Sequence, residues 1–72
     1  MLYQVRYDGF RRLELRPLGE GYPVIDVRVG YEIDADISDP VSGEVIIKAG
    51  TYPDLRTWKY LGGAHDVVEV SY

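Results

Sequence analysis

The sequence predicts an α+β fold, mainly β: a small curled antiparallel sheet of about five strands with one short helix near residues 53–61, in a single domain spanning 1–72. Three observations carry that expectation. Apolar and polar residues alternate with a period of two along most of the chain, the mark of strands with one face buried. Glycine- and proline-bearing segments, "DG", "PLGEGYP", "SDPVSG" and "GG", cut this alternation into short pieces. Seventy-two residues supply only one thin core, since a chain of this length buries about 60% of the surface its unfolded form exposes.

The first piece, "LYQVRY" followed by Asp8, Gly9 and "FRRLELR", reads as a hairpin. A two-residue Asp8-Gly9 turn sets Val5 opposite Arg12 and Tyr3 opposite Glu14, which places apolar residues against charges. A three-residue loop of Tyr7, Asp8 and Gly9, with Gly9 left-handed, instead sets Tyr3 opposite Leu13 and Met1 opposite Leu15. That register is the expected one. The other face then carries Gln4, Arg6, Phe10, Arg12 and Glu14, with Arg6 placed for a cation–π contact on Phe10.

After the "PLGEGYP" loop, Ile25, Val27, Val29, Tyr31, Ile33, Ala35 and Ile37 alternate with polar residues or glycine for thirteen positions. A strand of that length spans about 40 Å, so a bend is expected, with Gly30 as its place. "SDPVSG" turns the chain into "EVIIKA", apolar enough to lie centrally in the sheet. In "GTYPDLRTWKYLGG", Thr51 is placed to cap a helix, with Asp54 completing a capping box and Gly62 ending the element. Tyr52, Leu55, Trp58 and Leu61 then form its inward stripe. Read as a strand, residues 57–61 convert the architecture into the alternative, an all-β small barrel of SH3-like form. "DVVEVSY" closes the chain as a strand with Val68, Val70 and Tyr72 on one face, the sheet curling around Trp58.

The net charge of −4 is unevenly spread. Residues 1–16 carry Arg6, Arg11, Arg12 and Arg16 against Asp8 and Glu14, a balance of +2, whereas residues 20–44 reach −6 with Arg28 the only cation. An acidic middle repels phosphate backbones, which argues against a general nucleic-acid binder, although the arginine-bearing hairpin suits an anion. No cysteine is present, so thiol chemistry and thiolate metal sites are excluded. Without an apolar run near the ~20 residues of a spanning helix, and with charges breaking any leader core at the start, a soluble chain resident in the cytoplasm by default is expected, with no membrane partner.

The stretch "YEIDADISD" poses the question of a metal site. Counted from Asp34, a helix-loop-helix calcium loop needs glycine sixth and glutamate twelfth, but these positions hold Asp39 and Val45. The simpler reading is a strand with Glu32, Asp34 and Asp36 wet and Ile33, Ala35 and Ile37 inward, Asp39 serving the turn before Pro40. His65, the only histidine, is read as an exposed loop residue, because none of Ser38, Ser42 and Ser71 is framed as a nucleophile. No enzyme activity and no cofactor are expected.

Seven tyrosines are more than a thin core encloses. Tyr3, Tyr31 and Tyr52 are inward by phase, which leaves Tyr7 at the hairpin tip and Tyr60 on the helix as contact residues. The expected activity is therefore non-catalytic: a protein-protein interaction module docking onto a basic surface through Asp26, Glu32, Asp34 and Asp36, with Tyr7 and Tyr60 adding area. Small acidic chains without catalytic groups are similar in gross properties to phage-encoded inhibitors and accessory factors that occupy nucleic-acid sites on host machinery. The alternative is a structural or assembly subunit forming a homo-oligomer through sheet edges, the first or last strand being the expected edge.

Overall fold

The computed structural model describes residues 1–71. Its elements are β1 (Leu2–Tyr7), β2 (Leu13–Pro17), β3 (Ile25–Asp26), β4 (Asp36–Ser38), β5 (Val45–Ile47), α1 (Leu55–Ala64) and β6 (Val67–Ser71). The strands form one antiparallel sheet in the order β3-β2-β1-β6-β4-β5, curled into a half-barrel that shares its core with α1. This is the mainly β, α+β class expected. Six strands replace about five because the segment 25–37 divides into β3 and β4. The small-barrel alternative falls away, since residues 57–61 are helical. Among the described residues no helix is long and apolar enough to cross a membrane.

The β1–β2 register differs from the expected one. Tyr7 pairs with Leu13, Val5 with Leu15 and Tyr3 with Pro17, leaving a five-residue loop of residues 8–12. The cause is the Asp8 carboxylate, whose Oδ1 accepts the N–H groups of Phe10, Arg11 and Arg12 at 2.9, 2.8 and 3.0 Å. Those bonds, with Gly9 at φ 78°, organise a wider loop than Asp-Gly alone implies. The displacement is four residues, an even number, so every side chain keeps its face: Tyr3, Leu13 and Leu15 are buried while Gln4, Arg6 and Arg16 stay exposed. Arg6 faces Glu14, and the cation over the Phe10 ring is Arg11, at 5.6 Å, rather than Arg6.

Residues 25–37 are not one strand. A straight strand of thirteen residues would extend about 40 Å, whereas the longest dimension of the molecule is 28 Å. The bend falls at Gly30 as expected: the Tyr31 N–H donates to the Arg28 carbonyl at 3.2 Å and Gly30 adopts φ +82°, a region side chains disfavour. Phase survives on either side, with Val27, Ile33, Ala35 and Ile37 buried and Asp26, Glu32 and Asp34 exposed. It lapses at the turn itself, where Val29 and Tyr31 face outward. Beyond the turn, the Gly30 N–H donates to Pro53 and Ile33 bridges Thr51, tying this segment to the chain that enters α1.

Strand order also departs from expectation. β1 and β6, expected as open edges, are central neighbours, while β5, expected centrally, is an edge together with β3. Tyr3 pairs with Val68 across β1 and β6, so the two strands with the most regular apolar faces meet in the middle. β5 is only three residues long, and a tight turn closed by the Asp39 N–H to Glu44 carbonyl bond lays it on the outer side of β4. Val68 and Val70 are inward as expected; Tyr72 lies outside the described residues.

The helix starts later and ends later than the sequence implies. Asp54 is the N-cap, its Oδ1 accepting the Thr57 N–H at 2.8 Å, while the Thr51 hydroxyl donates to Lys48 in the preceding turn, so the capping box does not form. Trp58 and Leu61 are buried, but Leu55 and Tyr52 are exposed, which shortens the expected stripe to two residues. Gly62 continues the helix rather than ending it. Its missing side chain admits the Tyr7 ring, which meets Trp58 edge-on at 5.2 Å and 74°. Trp58 in turn donates its Nε1–H to the Val27 carbonyl at 2.7 Å.

Candidate functional site: an acidic surface with exposed tyrosines

The six expected contact residues do not share one surface. Asp26 sits on edge strand β3 opposite Glu14 and forms an ion pair with Arg28 at 3.3 Å. Asp36 is half-buried in β4 and its Oδ1 accepts the Ala49 N–H at 2.8 Å, which fixes the chain leaving β5. Tyr7 is half-buried beneath α1 against Gly62 and Trp58, so it serves the core rather than the hairpin tip. Tyr60 is exposed on α1, as expected, beside a shallow depression of about 300 Å³ formed with Val45, Ile46 and Arg56.

Glu32 and Asp34 remain. Both are exposed, flank the buried Ile33, and make no ion pair within the described residues. The antiparallel Ile33–Thr51 bridge sets Tyr52 opposite Glu32, and Tyr31 precedes Glu32. Tyr31 is 63% exposed and Tyr52 64%, which corrects the expectation that both pack inward. The Arg28 guanidinium lies 5.7 Å from the Tyr31 ring centroid. Segments 31–34 and 51–52, paired at Ile33 and Thr51, thus carry two carboxylates and two tyrosines that are all exposed, a candidate contact patch. Hydrophobic phase alone misses it, because Tyr31 and Tyr52 both lie where strand pairing gives way to turns.

His65 is not an exposed loop residue. Its side chain is 8% exposed at the end of α1, with Nε2 3.4 Å from Asp39 Oδ2 and the ring edge-on to Tyr60 at 5.3 Å. The pair ties the helix terminus to the β4–β5 turn. Asp39 is itself committed to that turn through the Val41 and Ser42 N–H groups, at 2.8 and 3.1 Å, and Ser42 Oγ accepts from Glu44. Among the described residues no three His, Asp or Glu side chains converge on a common point.

Three carboxyls are held below the ordinary aspartate value of 3.8 by backbone donors. For Asp8 these are the N–H groups of Arg12, Phe10 and Arg11; for Asp39, those of Ser42 and Val41; for Asp54, that of Thr57. Each therefore stabilises the fold above pH 3.8, and that contribution is lost as pH falls through the lower folded-state values. Thermal melting monitored by circular dichroism is expected to be flat from neutrality to about pH 5 and to fall below about pH 4. In the triple variant Asp8→Ala, Asp39→Ala, Asp54→Ala the melting temperature is lower at neutrality and the acid slope flatter; an unchanged slope would exclude these groups as its source.

No protein-family model, curated protein or solved structure matches the chain.

Proposed function

We propose that this chain is a non-catalytic protein-interaction module, an inhibitor or accessory factor that docks onto a basic protein surface through Glu32 and Asp34, with Tyr31 and Tyr52 supplying apolar area. The observation that carries this reading is that these carboxylates are left without ion pairs while two large tyrosine surfaces stand exposed on adjoining segments. Asp26 and Asp36 have intramolecular partners and lie outside the core of the proposed contact. A tyrosine beside a carboxylate combines a rigid amphipathic surface with charge steering, the combination enriched where proteins meet.

The test is affinity capture from the native host by the wild-type chain, by Glu32→Lys/Asp34→Lys, and by the charge-matched control Glu20→Lys/Asp66→Lys. A partner retained at low salt should be released well above ~0.15 M salt. It should bind the first variant at least about tenfold more weakly and the control nearly as well as wild type. Equal losses in both variants would reduce the effect to net charge and remove the patch from consideration.

A second reading, self-association through a sheet edge, is favoured by β5, an open edge strand with Val45 49% exposed beside the Tyr60 depression. Sedimentation separates the two. An apolar edge-to-edge oligomer persists at high salt, whereas docking through Glu32 and Asp34 weakens.

A further inference from the structure

We propose that a second surface, built by the 8–12 loop, residues 26–29 and the start of α1, binds an extended acidic peptide that carries an apolar side chain. This surface adjoins the Glu32 and Asp34 patch at Arg28, whose guanidinium lies 5.7 Å from the Tyr31 ring centroid, and its side-chain charge is opposite. Arg11, Arg12 and Arg28 border a depression of about 240 Å³. Arg11 and Arg28 also border a neighbouring one of about 300 Å³, lined by Phe10, Val29, Leu55 and Trp58. Phe10 is 79% exposed and Leu55 54%, so an apolar wall stands open to solvent next to guanidinium groups.

Charge complementarity identifies the occupant. Asp26 is paired with Arg28 and Glu14 with Arg16, but no carboxylate among the described residues lies at ion-pair distance from Arg11 or Arg12. Arg11 is held over the Phe10 ring at 5.6 Å, which restrains the guanidinium at the rim of the apolar depression. From there its planar edge can take a carboxylate by two hydrogen bonds. A single apolar side chain fits the depression lined by Trp58 while flanking carboxylates meet Arg11 and Arg12. A nucleic-acid strand fits less well, because its phosphates recur at every residue and one would be set against Asp26, which lines the same depression, whereas a peptide can place an uncharged position there.

Fluorescence anisotropy with a labelled synthetic peptide of alternating aspartate and leucine tests this directly, beside an aspartate–glycine peptide of equal charge and an oligothymidylate. The aspartate–leucine peptide is expected to bind wild type. Binding should be about tenfold weaker with Arg11→Glu/Arg12→Glu, with Phe10→Ser/Leu55→Ser, and for the aspartate–glycine peptide. All four substituted side chains are exposed, so urea midpoints near wild type will show that the fold is retained. Unchanged affinity in either variant, equal affinity for the glycine peptide, or preference for the oligothymidylate would overturn the proposal. So would self-association of the free protein that Arg11→Glu/Arg12→Glu abolishes, because a second copy would then be the occupant.

Discussion

Trp58→Ala is expected to leave most of the chain unfolded at room temperature. Trp58 is 5% exposed, lies at the junction of α1 and the sheet, and donates to Val27 on the segment that leaves β3. Truncating a buried tryptophan costs about 3–5 kcal/mol through lost transfer energy and the cavity left behind. A domain this small lies near the lower end of the usual ~5–15 kcal/mol of total stability, so the loss is comparable to the whole. The same truncation removes the edge contact that orients Tyr7. Far-UV circular dichroism and urea titration check the result, since the only tryptophan fluorophore is lost with the substitution. Trp58→Phe keeps a ring but leaves the Val27 carbonyl without its donor, a cost of about 1–3 kcal/mol, so its urea midpoint should fall between the two. A wild-type midpoint in the alanine variant would show that the core is held elsewhere.

Alanine substitutions at two adjacent glycines should move stability in opposite directions. Both Gly62 and Gly63 lie within α1, where glycine is ordinarily about 1 kcal/mol less favourable than alanine. Propensity therefore predicts a gain at each. At Gly63 the gain is expected, because an added Cβ meets nothing within 4 Å. At Gly62 a Cβ would overlap Cγ, Cδ1 and Cδ2 of the Tyr7 ring, and the ring cannot retreat without losing its seat on Trp58. Overpacking of this kind costs about 1–3 kcal/mol, enough to exceed the propensity gain. Urea midpoints above wild type for Gly63→Ala and below it for Gly62→Ala confirm the packing. A rise at both positions would mean that Tyr7 has room to move.

What the sequence makes legible here is local phase. Tyr3, Leu13, Leu15, Ile33, Ala35, Ile37, Val68 and Val70 are buried as alternation requires, because the side of the sheet a residue faces is fixed by its neighbours in the chain. Pairing is less legible. The first hairpin slips by four residues because Asp8 gathers three N–H groups, a choice of turn chemistry that the Asp8-Gly9 pair does not announce. Strand order depends on which apolar faces meet across the whole chain, and the apolar run "VII" gives no sign that β5 lies at an edge. The contact surface divides in the same way. Exposure of Glu32 and Asp34 follows from phase, whereas Asp36 is taken up by Ala49 and Tyr7 by Gly62, partners 13 and 55 positions away. His65 is misread for the same reason, since Asp39 reaches it from a distant turn.

The central place of β1 beside β6 sets the order of events during synthesis. β2 follows β1 directly out of the ribosome, yet one flank of β1 has no strand to pair with until β6 has also emerged. Residues 2–4 join residues 67–69, so the two local units, β1–β2–β3 and β4–β5, can form early but the sheet cannot close until β6 joins them. A nascent chain stalled after α1 would present β1 as a bare template, which makes arrested or truncated products the aggregation-prone species and favours rapid release over slow translation.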